Sequence, residues 1–146
     1  MTKDQLYQEI QRVRSQINRA RDEQRTLEEK WDVLLEFSAK CNERAEAFLE
    51  SVQRRKKKLS GIDQLLSRMK AAMKYREKMQ DLLCGQDYRS AKNSIDELMD
   101  NLDRQKRQVK QALSDVDHKL RQLHSRLNQL QYEYNNYPDE EDANDG

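Results

Sequence analysis

The chain is predicted to be all-α, an elongated antiparallel helical hairpin of coiled-coil type. Three observations predict it. Charged residues make up 38% of the 146 positions, yet 28 Lys and Arg nearly cancel 27 Asp and Glu. Three Gly and one Pro are too few for an all-β chain, which needs turn residues every ~10 positions. Apolar side chains recur at alternating four- and three-residue steps, the period that keeps one stripe of a helix facing a partner. Balanced charge with few helix breakers is the composition of long amphipathic helices. Disorder calls for a large net charge, and here it is +1.

A first helix is expected over about 4–59. Its stripe reads Leu6, Ile10, Val13, Ile17, Ala20, Gln24, Leu27, Trp31, Leu34, Ser38, Cys41, Ala45, Phe48 and Val52, with Gln24 and Ser38 as the polar interruptions. Leu35, Phe37 and Leu49 widen it and imply more than one neighbour or bulkier packing. Gly61 reads as a helix end or kink, and Ser60 with Asp63 has capping-box spacing.

The second helix, about 62–84, carries Ile62, Leu65, Leu66, Met69, Met73, Met79, Leu82 and Leu83. Met69, Met73 and Met79, with Met99, read as gap fillers before they read as an adaptable surface. A break follows at Cys84-Gly85-Gln86-Asp87, where Gly85 can take positive φ. The third helix, about 88–137, has the stripe Tyr88, Ala91, Ile95, Leu98, Leu102, Gln105, Val109, Leu113, Val116, Leu120, Leu123, Leu127, Leu130, Tyr134 and Tyr137. Two four-residue steps between Gln105 and Leu113 make a stutter. Pro138 ends the helix. Residues 1–137 thus form the helical domain and 138–146 an acidic tail expected to be disordered, holding five of the acidic residues.

Two arrangements compete. In one, the chain reverses once near Gly85 and Gly61 is only a kink. Residues 4–34 then overhang by about 45 Å. In the other, it reverses at Gly61 as well, which brings Cys41 and Cys84 to nearly the same level. A 41–84 disulfide would then exclude the single hairpin, which is the preferred reading. Neither arrangement buries every stripe position within one chain, so a helical protein partner or a homodimer is expected at Leu6, Ile10, Val13, Ile17, Leu27 and Trp31.

No enzyme is expected, and no cofactor, metal or small-molecule substrate. His118 and His124 are six apart, whereas metal-binding helices use three or four. Cys41 and Cys84 have no adjacent imidazole to activate them. General acid–base work needs a pocket that shifts pKa, which a thin bundle lacks. The basic run at 54–58 would wrap a helix as a collar, with no flanking aromatics, so nucleic acid is not the favoured partner. In the hairpin register Asp115 and Asp117 lie at its level. The longest apolar run is far short of a membrane span. MTKDQLYQEI has no apolar signal region, so a cytoplasmic location is expected, with export without a cleaved signal left open.

Leu83-Cys84-Gly85, followed by Tyr88, lies between two long helical stretches, and Tyr137-Pro138-Asp139-Glu140-Glu141 follows the last one. In these features the chain resembles the helical-hairpin proteins of bacterial type VII secretion. It looks most like the α-helical partners encoded beside LXG toxins. In that family the turn holds Trp-x-Gly or a relaxed version, and here Leu83 stands in place of the Trp. The resemblance implies a turn motif at Leu83, Gly85 and Tyr88, and a Tyr-x-x-x-Asp/Glu export signal at Tyr137 and Glu141. It implies an adaptor that binds the N-terminal helical domain of a toxin. A self-associating structural coiled coil and a cytosolic export chaperone are the alternatives.

Overall fold

A computed structural model describes residues 1–66 and 70–138, with side chains at 1–61 and 73–138. It is an all-α antiparallel helical hairpin built from α1 (Lys3–Leu66), α2 (Lys70–Cys84) and α3 (Gln86–Asn135). The chain forms two compact units. Unit 1 joins Met1–Asp32 to Arg107–Gly146, and unit 2 is Val33–Lys106. The acidic tail from residue 139 lies outside the described residues.

A capping box starts α1. The Thr2 hydroxyl accepts from the Gln5 N–H at 3.2 Å, and the Gln5 side-chain carbonyl accepts from the Thr2 N–H at 2.8 Å. Asp4 in the first turn adds a favourable charge at the positive end of the helix dipole. At the far end of α3, the Asn136 backbone and side-chain N–H groups both donate to the Tyr132 carbonyl. Pro138 follows, with no N–H to extend the ladder.

The expected break at Ser60 and Gly61 is absent: α1 runs through both to Leu66. Gly61 costs the helix only about 1 kcal/mol, too little to end it against the packing of a long stripe. The Ser60–Asp63 cap therefore does not form at a helix start.

The hairpin reverses between α1 and α2, not near Gly85. In unit 2, Phe48 stacks on Tyr88 with ring centroids 6.1 Å apart. Closer to the reversal, Lys56, Leu59 and Ser60 line a common cavity with Arg76, Gln80, Leu83 and Cys84. Descending α1 thus means ascending α2 and α3. At Gly85 the helical hydrogen bonds carry on: its N–H donates to the Asp81 carbonyl at 2.7 Å, and its carbonyl accepts from the Arg89 N–H at 3.1 Å. Gly85 is a bend within one helical arm, and neither described glycine, Gly61 or Gly85, has positive φ.

Magnitudes explain this choice of reversal. α1 has 64 residues, and α2 and α3 have 15 and 50, so the two arms match in length. In unit 1, Leu6, Ile10, Val13, Ile17 and Ala20 form one buried cluster with Val116, Leu120 and Leu130. Each large side chain contributes about 1.5–3 kcal/mol by burial. Reversal at Gly85 would forfeit several of these to satisfy one glycine, whose conformational preference is worth about 1 kcal/mol.

Every predicted stripe position of α1 is buried or half-buried. In α3 the stripe holds except at Leu98 and Gln105, which are exposed, while Met99 and Lys106 turn inward. The two consecutive four-residue steps therefore fall at Ala91, Ile95 and Met99, about four helical turns before their expected place. Met99 can fill an irregular gap, and Lys106 can bury its methylene stem while its amine reaches water.

Ser38 is buried in unit 2, and its hydroxyl has no hydrogen-bond partner. Ser38→Ala is expected to raise stability by about 1 kcal/mol, because an unsatisfied buried hydroxyl costs about that much or more. A lower urea midpoint for this variant would mean that the hydroxyl is satisfied after all.

Candidate functional site

The six residues expected to bind a partner do not share an open surface. Leu6, Ile10, Val13 and Ile17 are buried in the unit 1 cluster, and Leu27 packs against it half-buried. Trp31 is half-buried. Tyr7 and Tyr134 approach to 6.4 Å between ring centroids, and the Lys3 amine lies 5.2 Å from the Tyr134 centroid. The last part of α3 thus covers the first part of α1, and the expected overhang does not exist.

The apolar side chains left in solvent lie elsewhere. Val33, Leu35, Phe37, Leu49, Met73, Tyr75, Leu82 and Leu98 are exposed, all within unit 2. Unit 1 exposes only Met1, Tyr7 and Tyr132 among the large hydrophobic residues described. Leu35 and Leu49 are fourteen residues apart, or four turns, so they share one flank of α1. Tyr75 and Leu82 share a flank of α2 by their seven-residue spacing. The widened stripe was legible in the sequence, but Leu35, Phe37 and Leu49 stay open and are not packed against a second neighbour within the chain.

Of the turn-motif residues, Leu83 is buried and Tyr88 is half-buried between Phe48 and the Lys56 amine. They brace the hairpin on either side of the Gly85 bend. Of the export-signal pair, Tyr137 packs half-buried on the unit 1 cluster, and Glu141 lies outside the described residues.

A cavity of about 240 Å³ is lined by Lys56, Leu59, Ser60, Arg76, Gln80, Leu83 and Cys84. Its described lining residues supply a hydroxyl and a thiol and include no imidazole or carboxylate. Among the described residues no group of three His, Cys, Asp or Glu could hold a metal ion. His118 and His124 are exposed. No described helix is long and apolar enough to cross a membrane. Of the methionines near the reversal, Met69 lies outside the described residues, Met73 is exposed, and Met79 is half-buried like Met99.

The basic run is not a collar. The Lys56 amine turns inward, 5.3 Å from the Tyr88 centroid, while Arg54, Arg55, Lys57 and Lys58 are exposed. At 100° per residue these four fall on the side of α1 opposite Lys56. Asp115 and Asp117 have partners on their own helix: Asp115 accepts from the Gln111 side chain, and Asp117 pairs with Arg121 at 2.9 Å.

Cys41 is half-buried and Cys84 exposed, both as free thiols. Cys41 lies seven residues before Phe48, and Cys84 lies four before Tyr88. On antiparallel helices with Phe48 and Tyr88 level, the thiols are about 16 Å apart along the axis, far beyond disulfide reach. Mild oxidation is expected to give disulfide-linked pairs of chains through Cys84 and no intrachain bond. A 41–84 bond found by peptide mapping would contradict the observed register.

No family model matches the sequence, no curated protein matches it, and no solved structure matches the fold.

Proposed function

We propose that the chain is a non-enzymatic helical adaptor that binds the N-terminal helical domain of an LXG-type toxin for type VII secretion. The observation that carries this reading is the division of apolar surface. The seam of unit 1 is used up inside the hairpin, whereas unit 2 leaves Leu35, Leu49, Tyr75 and Leu82 open. Apolar side chains at heptad spacing on a helix flank suit docking by another helix, which brings its own anchors at matching spacing. The docking surface is thus unit 2, in place of residues 6–31, whose side chains a partner could reach only by displacing α3. The family resemblance supplies the partner's identity, and the hairpin architecture is compatible with it.

The test is co-expression with the toxin's N-terminal domain. A complex should form, and Leu49→Glu combined with Leu82→Glu should abolish it without loss of helicity. If that double variant still binds, unit 2 is not the docking surface. If no complex forms and the chain alone is a stable dimer held by the same leucines, the self-associating structural reading replaces the adaptor.

A further inference from the structure

We propose that the flank of α1 from Leu49 to Lys57 takes an acidic amphipathic helix of a partner protein, with an apolar anchor beside Leu49 and carboxylates beside Arg54 and Lys57. The inference rests on the reading of unit 2 as a docking surface and adds the chemistry of what docks there. Every residue it uses lies on one helix within unit 2. Leu49, Gln53 and Lys57 recur at four-residue steps and share one flank of α1. With Glu50, Arg54 and Lys56 they border a shallow groove of about 710 Å³, in which Glu50 is the sole carboxylate among the described lining residues. Arg54 and Lys57 are exposed and have no ion-pair partner among the described residues. Lys56 turns its amine to Tyr88, which leaves Arg54 and Lys57 as the charges a partner meets.

The groove is apolar at one end and basic at the other, and that selects the occupant. Leu49 is 40% exposed, and Leu35 continues its flank four turns earlier. Lys57 stands about 12 Å further along the helix than Leu49. A partner helix with an apolar anchor and a carboxylate two turns apart matches that spacing, and opposite charge fixes its register. A nucleic-acid strand fits less well. Its phosphates would run along Leu49 and Glu50, and no exposed aromatic side chain between 49 and 58 offers a base a stacking face. A bilayer surface needs a broad apolar face beside the basic one, and Leu49 is the only exposed large hydrophobic residue between 49 and 58.

The probe is a synthetic helix of about 21 residues, three heptads with Leu on the seam and Glu on both flanks. Its binding to the full chain is followed by fluorescence anisotropy. It should bind at low salt and weaken roughly tenfold or more by about 0.5 M salt. R54Q with K57Q, and L49E alone, should each weaken it about tenfold or more without loss of helicity. R55Q with K58Q removes the same charge outside the groove and should weaken it only about twofold. A peptide with Lys in place of Glu should not bind. Equal losses from the two charge pairs, or an acidic peptide that fails to bind, would overturn the proposal. So would tighter binding of a single-stranded oligonucleotide or of phosphatidylserine vesicles at Arg54 and Lys57, or a chain that is dimeric until those two are neutralised. A toxin domain whose affinity is unchanged by R54Q with K57Q would overturn the proposal and leave the adaptor reading standing. A peptide that behaves as expected beside a toxin domain that does not bind would do the reverse.

Discussion

Leu130→Ala is expected to destabilise the protein by about 2–5 kcal/mol, the usual cost of emptying a leucine site in a packed core. Leu130 has 0% exposure and is the largest fully buried side chain described. It belongs to the cluster that joins the last part of α3 to Leu6, Ile10, Val13 and Ile17. Net stabilities of domains are about 5–15 kcal/mol, so this loss is a large share of the total. Leu98→Ala is the control. That leucine reads as a stripe position in sequence but is 42% exposed, and its loss should cost well under half as much. Urea midpoints at unchanged slope measure both. Equal losses at the two sites would show that α3 presents a different face to α1.

Gly61→Ala and Gly85→Ala are expected to act in opposite directions. Both glycines lie in or between helices, and a Gly-to-Ala change in a helix interior gains about 0.5–1 kcal/mol when nothing obstructs it. At Gly61 an added Cβ meets nothing within 4 Å, so the full gain is expected. At Gly85 it would run into the Asp81 carbonyl oxygen well inside contact distance and meet the carbonyl carbon at 2.9 Å. Both are backbone atoms, and the oxygen accepts the Gly85 N–H, so relief requires moving the bend itself. A loss of about 1–3 kcal/mol follows, in the range of overpacked sites. Thermal melts of the two variants against the unaltered chain measure the contrast. A stabilised Gly85→Ala protein would mean that the arm is straight there.

The helical class and the α1 stripe were legible in the sequence because a 3.5-residue period over many turns leaves little freedom. Each of its fourteen positions, from Leu6 to Val52, faces inward. Point features were harder. Gly61 and Gly85 look alike as letters, yet neither is the reversal: Gly61 is an interior helix residue and Gly85 a bend. Which break becomes the turn depends on the burial summed over both arms, a non-local quantity that outweighs either glycine. Leu98 and Met99 show the same limit at finer scale. A leucine at heptad spacing is the natural reading, but the stutter falls at Ala91, Ile95 and Met99, so the inward position shifts by one residue from Leu98 to Met99. The Thr2–Gln5 capping box was readable as Thr-x-x-Gln before an apolar repeat and marks the start of α1 more sharply than the repeat does.

The expected partner surface depends on the same register. Residues 6–31 are uncovered only if the chain reverses near Gly85. Moving it to the junction of α1 and α2 covers them and shifts the open apolar surface to unit 2. Its constituents Leu35, Phe37 and Leu49 were visible as a wide stripe, though their exposure was not.

In unit 1, α3 returns to cover the beginning of α1. Spin labels at Gln8→Cys and Glu133→Cys, in a chain carrying Cys41→Ser and Cys84→Ser, test it by pulsed dipolar distance measurement. Dilution with unlabelled protein removes distances between copies. One narrow distance on the order of 20 Å is expected, two adjacent helices plus the label arms. A reversal near Gly85 would set the labels about 47 Å apart along the axis, and a distance in that range would contradict the hairpin described here.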